Sequence, residues 1–183
     1  MNRQAFKELL ATLPGGKSSE HENAVALAES HGWSYEEAWQ WAFNSGWHVF
    51  RRPGVAEDCF RMLRAVGAPP EYALVFRSTI TAVDAAVCFK SGLPASYAVA
   101  YRGWGVNTRI RFFEAGVPVG YAPFGQRLTV ADVLTLTEAG CPAQYAAHVI
   151  RFHGDGPRIL ELWRAGIPLE YVAAMLDGDE KNG

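Results

Sequence analysis

His148, His153 and Asp155 come closest in this chain to a metal-binding or acid–base set, and Gly154 and Gly156 beside them are the residue type that lets an active-site loop turn tightly. Imidazole and carboxylate groups do bind zinc, but zinc sites use short recurring spacings, and calcium loops carry oxygen donors at alternate positions. The spacing here fits neither pattern, so the stretch reads as a long turn between helices. The sequence also has no Gly-x-Ser-x-Gly elbow, phosphate-binding Walker loop, dinucleotide fingerprint or His-Glu-x-x-His pair. The expectation is a non-enzymatic protein with no catalytic residue, no cofactor and no metal.

Other side chains point to binding. Trp33, Trp39, Trp41 and Trp47 crowd together near the N-terminus. They are either an exposed aromatic surface for a partner or the hydrophobic joint between the N-terminal helices and the first repeat unit. Arg77, Arg102, Arg109, Arg111 and Arg151 recur through the rest of the chain and are either a basic ridge, suited first to an acidic protein surface and second to the phosphates of a nucleic acid, or a solvated face. Ala28, Gly32, Ala38 and Trp41 have helix-turn-helix spacing, which keeps nucleic-acid binding as the alternative function. The second helix of that pair would carry Glu36 and Glu37 towards the phosphates, which is the wrong sign.

The elements that must hold these groups are set by a recurring stretch. Gly67-Ala68-Pro69-Pro70-Glu71-Tyr72-Ala73 returns, with changes, from Gly92, Gly116, Gly140 and Gly166, so the glycines lie 25, 24, 24 and 26 residues apart. The residue four before each glycine is Leu63, Cys88, Phe112, Leu136 or Leu162, and the residue seven before is Phe60, Ala85, Arg109, Val133 or Ile159; these two positions mark one buried helical stripe. Glycine ends that helix in a left-handed conformation, and proline two residues later opens a second, short helix. Thr81 with Asp84 and Thr129 with Asp132 suit capping boxes, and Asn107 and Asp155 suit N-caps. Pro123 should shorten or bend the second helix of its unit. Helices of roughly ten residues are unstable alone, so neighbouring units must supply the stability. The tyrosines, Tyr72, Tyr97, Tyr121, Tyr145 and Tyr171, read either as packing residues whose hydroxyls bond a neighbouring turn or as a ladder facing a groove.

Upstream, the pattern predicts helices over residues 2–13, from Ser18 or Ser19 to His31, and over residues 35–44 with Ser34 as cap. Gly32-Trp33-Ser34 looks like a decayed copy of the turn. Residues 45–54 read as a linker.

The Gly-hydrophobic-Pro-x-x-Tyr units, best seen in residues 67–72 and 166–171, resemble the short tandem helical repeats of bacterial proteins often written Gly-Val-(Ser/Thr)-Pro-Glu-Tyr. The resemblance covers residues 55–176 and implies a scaffold, with no catalytic residue to carry over.

Composition agrees with a folded chain: 49% apolar and 20% charged residues across 183. The net charge of -2 gives no argument for general nucleic-acid or membrane affinity, which usually goes with a strong basic excess. Cys59, Cys88 and Cys141 are spaced as reduced, buried thiols. The N-terminus lacks the unbroken apolar core of a signal peptide and no apolar run reaches the ~20 residues of a membrane span, so a cytoplasmic protein is expected, with a composition typical of a GC-rich bacterium or its phage. The expected architecture is all-α: an N-terminal helical cap over residues 1–52, a short α-solenoid-like array of helix-turn-helix repeats over 53–176, and a polar tail over 177–183. The expected function is that of an adaptor, inhibitor or assembly factor that binds a protein partner, not yet specified, through the repeat groove and the tryptophan-rich end.

Overall fold

In the computed structural model, the described residues are 1–46, 53–77, 81–151 and 154–172, with side chains described for all of these except 53–57 and 77. Of the expected 45–54 linker, residues 47–52 lie outside the described residues, as do His153 and the 177–183 tail, while the ends of that stretch are not linker: Ser45 closes one helix with Gly46 as its cap, and Pro53 and Gly54 open the next. Those described are helical or in turns, with no strand among them. By compactness the chain divides into two units, Met1–Arg102 and Gly103–Gly183.

The first unit opens with α1 (Arg3–Ala11), whose first turn is closed by the Asn2 side chain accepting from the Ala5 amide at 2.8 Å. Phe6 and Leu10 fall on one face and are fully buried against α2 (Ser18–His31) and α3 (Tyr35–Ser45), with Phe6 stacked on Tyr35 at 5.0 Å. Helix α2 starts one residue earlier than the serines suggest. Lys17 is its N-cap, and the Glu20 carboxylate accepts the Lys17 amide at 2.9 Å, a role open to an acidic residue at the third helical position. Ser34 caps α3 as its type predicts. Helix α4 (Pro53–Ala65) packs on α5 (Ala82–Lys90); between them in sequence, the 3-10 segment Pro70–Arg77 packs on α3, α5 and α6 (Ala95–Ala100).

The second unit contains α7 (Val106–Glu114), the 3-10 segment Val119–Phe124, α8 (Val130–Glu138), α9 (Ala143–Arg151) and α10 (Gly156–Arg164). Helix α10 packs on both α8 and α9, and α9 packs on the 3-10 segment, where Gly120 lets Ala143 approach so closely that an added Cβ would meet the Ala143 Cβ at 2.8 Å. Pro123 lies inside the six-residue 3-10 segment Val119–Phe124, but α6 is equally short and Pro70–Arg77 is equally 3-10 without an internal proline, so the proline does not by itself set the length or geometry of the segment. Asn107 is not a cap: Gly105 is, and α7 starts at Val106. The register explains this, since Thr81, Gly105, Thr129 and Asp155 all stand eleven residues before their glycine.

One turn recurs in both units. Gly32, Gly67, Gly92, Gly116, Gly140 and Gly166 all have φ between 63° and 76°. The amide of the next residue donates to the carbonyl four residues before the glycine, as in Trp33 to Ala28, Ala68 to Leu63, Leu93 to Cys88, Val117 to Phe112, Cys141 to Leu136 and Ile167 to Leu162, at 2.9 to 3.1 Å. An added Cβ at any of these glycines would meet nothing within 4 Å, so backbone conformation alone requires the residue. Proline sits at the N-cap of the following segment, at Pro94 and Pro118 with ψ 141°, one position before the first helical residue. Ser34 takes the same place after Gly32.

Both predicted stripe positions are buried throughout, Arg109 included at 6% exposure. Tyr72, Tyr97, Tyr121 and Tyr145 are buried too, which removes the groove-facing ladder at those positions. The hydroxyls of three of them tie consecutive turns together: Tyr72 donates to the Leu93 carbonyl at 2.9 Å, Tyr121 to Cys141 at 2.6 Å and Tyr145 to Ile167 at 2.9 Å, in each case the residue just after the next left-handed glycine.

Candidate protein-binding face

Trp33 and Trp41 are core residues, at 8% and 0% exposure. Their rings meet Phe60 of α4 at 5.5 and 4.7 Å, so the hydrophobic joint, and not an exposed aromatic surface, is what these two build. Trp39 lies half-buried on α3 beside Phe43, ring to ring at 5.9 Å, and Phe43 stays 53% exposed. Trp47 lies outside the described residues, as does the side chain of Arg77. Arg102 is exposed in the first unit, and Arg111 and Arg151 are exposed in the second. Arg109 cannot belong to a basic ridge: it occupies the core stripe, and its Nε donates to the Trp104 carbonyl at 2.7 Å.

The stretch around Asp155 is a packed turn. The Asp155 carboxylate accepts the Arg158 amide at 3.0 Å and caps α10. Gly154 leaves room for Val149, and Gly156 leaves room for the Asp132 carboxylate, so both glycines are explained by close packing. His148 is half-buried on α9. Among the described residues no three His, Cys, Asp or Glu side chains converge as a metal set.

The face with binding geometry lies on α4 and α5 of the first unit. Positions nine and five before each glycine point outward: Asp58 and Met62, Val83 and Val87, Asn107 and Arg111, Ala131 and Thr135, Pro157 and Glu161 are all exposed except Met62, which is half-buried. Most carry polar or small residues. Helix α5 instead carries Val83 at 57% and Val87 at 37% exposure, one turn apart.

Two open depressions flank α4. One, of about 660 Å³, lies between α4 and α5 and is lined by Asp58, Arg61, Met62, Ala65, Thr81, Ala82 and Val83. The other, of about 440 Å³, lies between α4 and the Gly32 turn, with His31, Trp33, Arg61, Arg64 and Ala65 around it. Arg64 is held firmly there. Its Nε and Nη2 meet the two Glu37 oxygens at 2.8 and 3.1 Å, and its guanidinium lies 5.3 Å from the centre of the Trp33 ring. Arg61 is looser, with a 3.1 Å contact to Asp58 and a side chain 73% exposed.

A third depression, of about 310 Å³, runs between the Gly67 and Gly92 turns over Pro69, Tyr72, Phe89, Leu93 and Pro94. With the Tyr72 hydroxyl committed to Leu93, this depression offers ring faces and proline edges.

Comparison with known proteins found no family model, no curated protein and no solved structure that matches the chain.

Reading each helix by its register would have shown the α5 valines, since they are apolar where the corresponding residues of other units are mostly polar. The position three before each glycine was also legible. Phe89 and Trp163 occupy it and meet Tyr72 and Tyr145 edge-on, both at 5.2 Å, while Arg64 occupies it and meets Glu37, which stands where those tyrosines stand. An ion pair replaces an aromatic contact there.

Proposed function

We propose that the chain is a non-enzymatic scaffold that binds a protein through the outward face of α4 and α5. One observation carries this: exposed Val83 and Val87 beside half-buried Met62, next to an open depression with Arg61 on its edge. Interfaces of this kind have an apolar centre and a rim in which arginine is common. The recurring turns favour a tandem α-solenoid-like array as the framework, with the Trp39 and Phe43 rings as a second contact surface, in a cytoplasmic adaptor, inhibitor or assembly factor. Among the described residues no helix is long and apolar enough to cross a membrane, which fits a framework of this type.

The test is affinity capture from host lysate with the native chain and with a Val83→Glu/Val87→Glu variant, each with and without nuclease. A discrete protein held by the native chain in both treatments, and lost from the folded variant, is the expected result. Trp39→Ala should weaken the same capture. Recovery that disappears with nuclease and ignores the valines would replace this reading with nucleic-acid binding.

A further inference from the structure

The N-terminal helices carry the backbone of a repeat unit. Helix α2 ends at Gly32 with φ 63°, and the Trp33 amide donates to the Ala28 carbonyl at 2.9 Å, the bond that also follows Gly67, Gly92, Gly116, Gly140 and Gly166. Val25 and Ala28, seven and four residues before Gly32, are 2% and 0% exposed, as the two stripe positions require. Ser34 caps α3 from the place that proline takes elsewhere, its hydroxyl accepting the Glu37 amide at 3.1 Å. Helix α2 departs from its counterparts at its start: the cap, Lys17, stands fifteen residues before the glycine instead of eleven, about one helical turn earlier.

The contact to the next unit uses matching positions. Glu37 stands five residues after Gly32, where Tyr72 and Tyr145 stand after their glycines, and Arg64 stands three before Gly67, where Phe89 and Trp163 stand before theirs. The two positions meet in all three cases, as rings 5.2 Å apart in the later units and here as a two-pronged ion pair at 2.8 and 3.1 Å. Between Tyr121 and the Gly140 turn the second position is Thr137, so that joint has the phenol bond to Cys141 and no second ring. The Glu37–Arg64 pair is open to solvent ions, with the Arg64 side chain 44% and the Glu37 side chain 26% exposed, whereas Tyr72 and Tyr145 are neutral and no more than 4% exposed. Trp33 and Trp41 against Phe60 supply the part of the first joint that salt does not screen.

We infer that α2 and α3 are the first unit of the array, and that the Glu37–Arg64 pair couples it to the next unit as a joint whose strength is tuned by ionic strength. The inference rests on the tandem framework of the proposed function and extends it towards the N-terminus. Neither Glu37 nor Arg64 lines the depression between α4 and α5, so partner capture there and this coupling can fail separately.

The test is hydrogen exchange of the full chain read by mass spectrometry, comparing the opening constant of the α3 amides, residues 35–45, with that of α9, whose joint is neutral. Raising NaCl from about 0.05 to 1 M should raise the α3 constant by about two- to tenfold and leave α9 within about twofold. Glu37→Tyr and Arg64→Phe should each raise it by about three- to thirtyfold, because each leaves one charge without its partner. Together they should return it to within about threefold of the native value by rebuilding the ring contact, and should abolish the salt response. An α3 constant indifferent to salt in the native chain, or a double variant whose loss is the product of the two single losses, would overturn the inference. Glu37→Gln/Arg64→Gln decides the matter if the aromatic exchange does not fold: loss of the salt response supports the joint, and a native response in that variant overturns it.

Discussion

The tyrosine hydroxyls are single groups with more than local effect, because each removes a carbonyl's need for water as its ring is buried. Burial pushes the Tyr72 and Tyr121 phenols well above the ordinary tyrosine range. A raised folded pKa contributes stability that is fully present below the unfolded value of about 10 and is lost as pH rises through the folded value. Spectrophotometric titration should therefore show Tyr72 and Tyr121 resisting ionisation until the chain unfolds in alkali. Tyr72→Phe leaves the Leu93 carbonyl without its donor in a site where Leu93 is only 2% exposed, and should cost about 1–3 kcal/mol in urea unfolding. A cost below the error of the measurement would mean that water reaches the carbonyl. Glu29 has the opposite sign. The Tyr35 hydroxyl and then Arg3 hold its carboxyl below the usual value, so its contribution is complete above the unfolded pKa and is lost as pH falls through the lowered one. Glu29→Gln should flatten that acid limb of the stability profile.

At the scale of an element, helix ends decide how α8 and α10 meet. Asp132 caps its own helix through Thr129, whose amide it accepts at 2.8 Å, and its carboxylate also rests against Gly156, the first residue of α10, where a negative charge is favourable. Gly156→Ala would drive a methyl group into that carboxylate and should cost about 1–3 kcal/mol, as overpacking does. Adding Asp132→Ala should recover part of the loss in a double-mutant cycle. Gly140→Ala differs in kind: its φ of 67° strains an alanine although nothing crowds the site, so a loss of about 1–2 kcal/mol should be additive with Asp132→Ala. Gly125→Ala belongs with the crowded class, since its Cβ would lie 2.8 Å from the Trp104 ring.

At the scale of the whole chain, the three thiols report on both units. Cys59 and Cys88 are buried in the first unit and Cys141 in the second, and burial pushes the Cys59 thiol up to about 11. Thiolate is the reactive form, so native Cys59 should react with a disulfide reagent at pH 8 far more slowly than a free cysteine. Along a urea series, Cys59 and Cys88 should become reactive in one transition and Cys141 in its own. A single shared midpoint would show that the two units unfold as one.

Much of the fold was legible because the information is local. A left-handed glycine, a proline two residues later and apolar residues four and seven before it specify a helix end, a helix start and a buried stripe whatever lies nearby, and four of the six turns carry every part of that rule, Ser34 replacing the proline after Gly32 and Arg109 the apolar residue before Gly116. Arg109 shows its strength: residue type suggested a surface ridge, position placed it in the core, and position prevailed. Asn107 shows the same, since its capping chemistry yielded to the register that made Gly105 the cap. The candidate face was less legible. The exposure of Val83 and Val87 and the burial of Trp33 and Trp41 against Phe60 both depend on which helix covers which. The sequence by itself determined the helices, their turns and their buried stripes through short-range hydrogen bonding and sterics. Only the tertiary structure decided which apolar side chains stay uncovered, because burial is a property of neighbours brought together from distant parts of the chain.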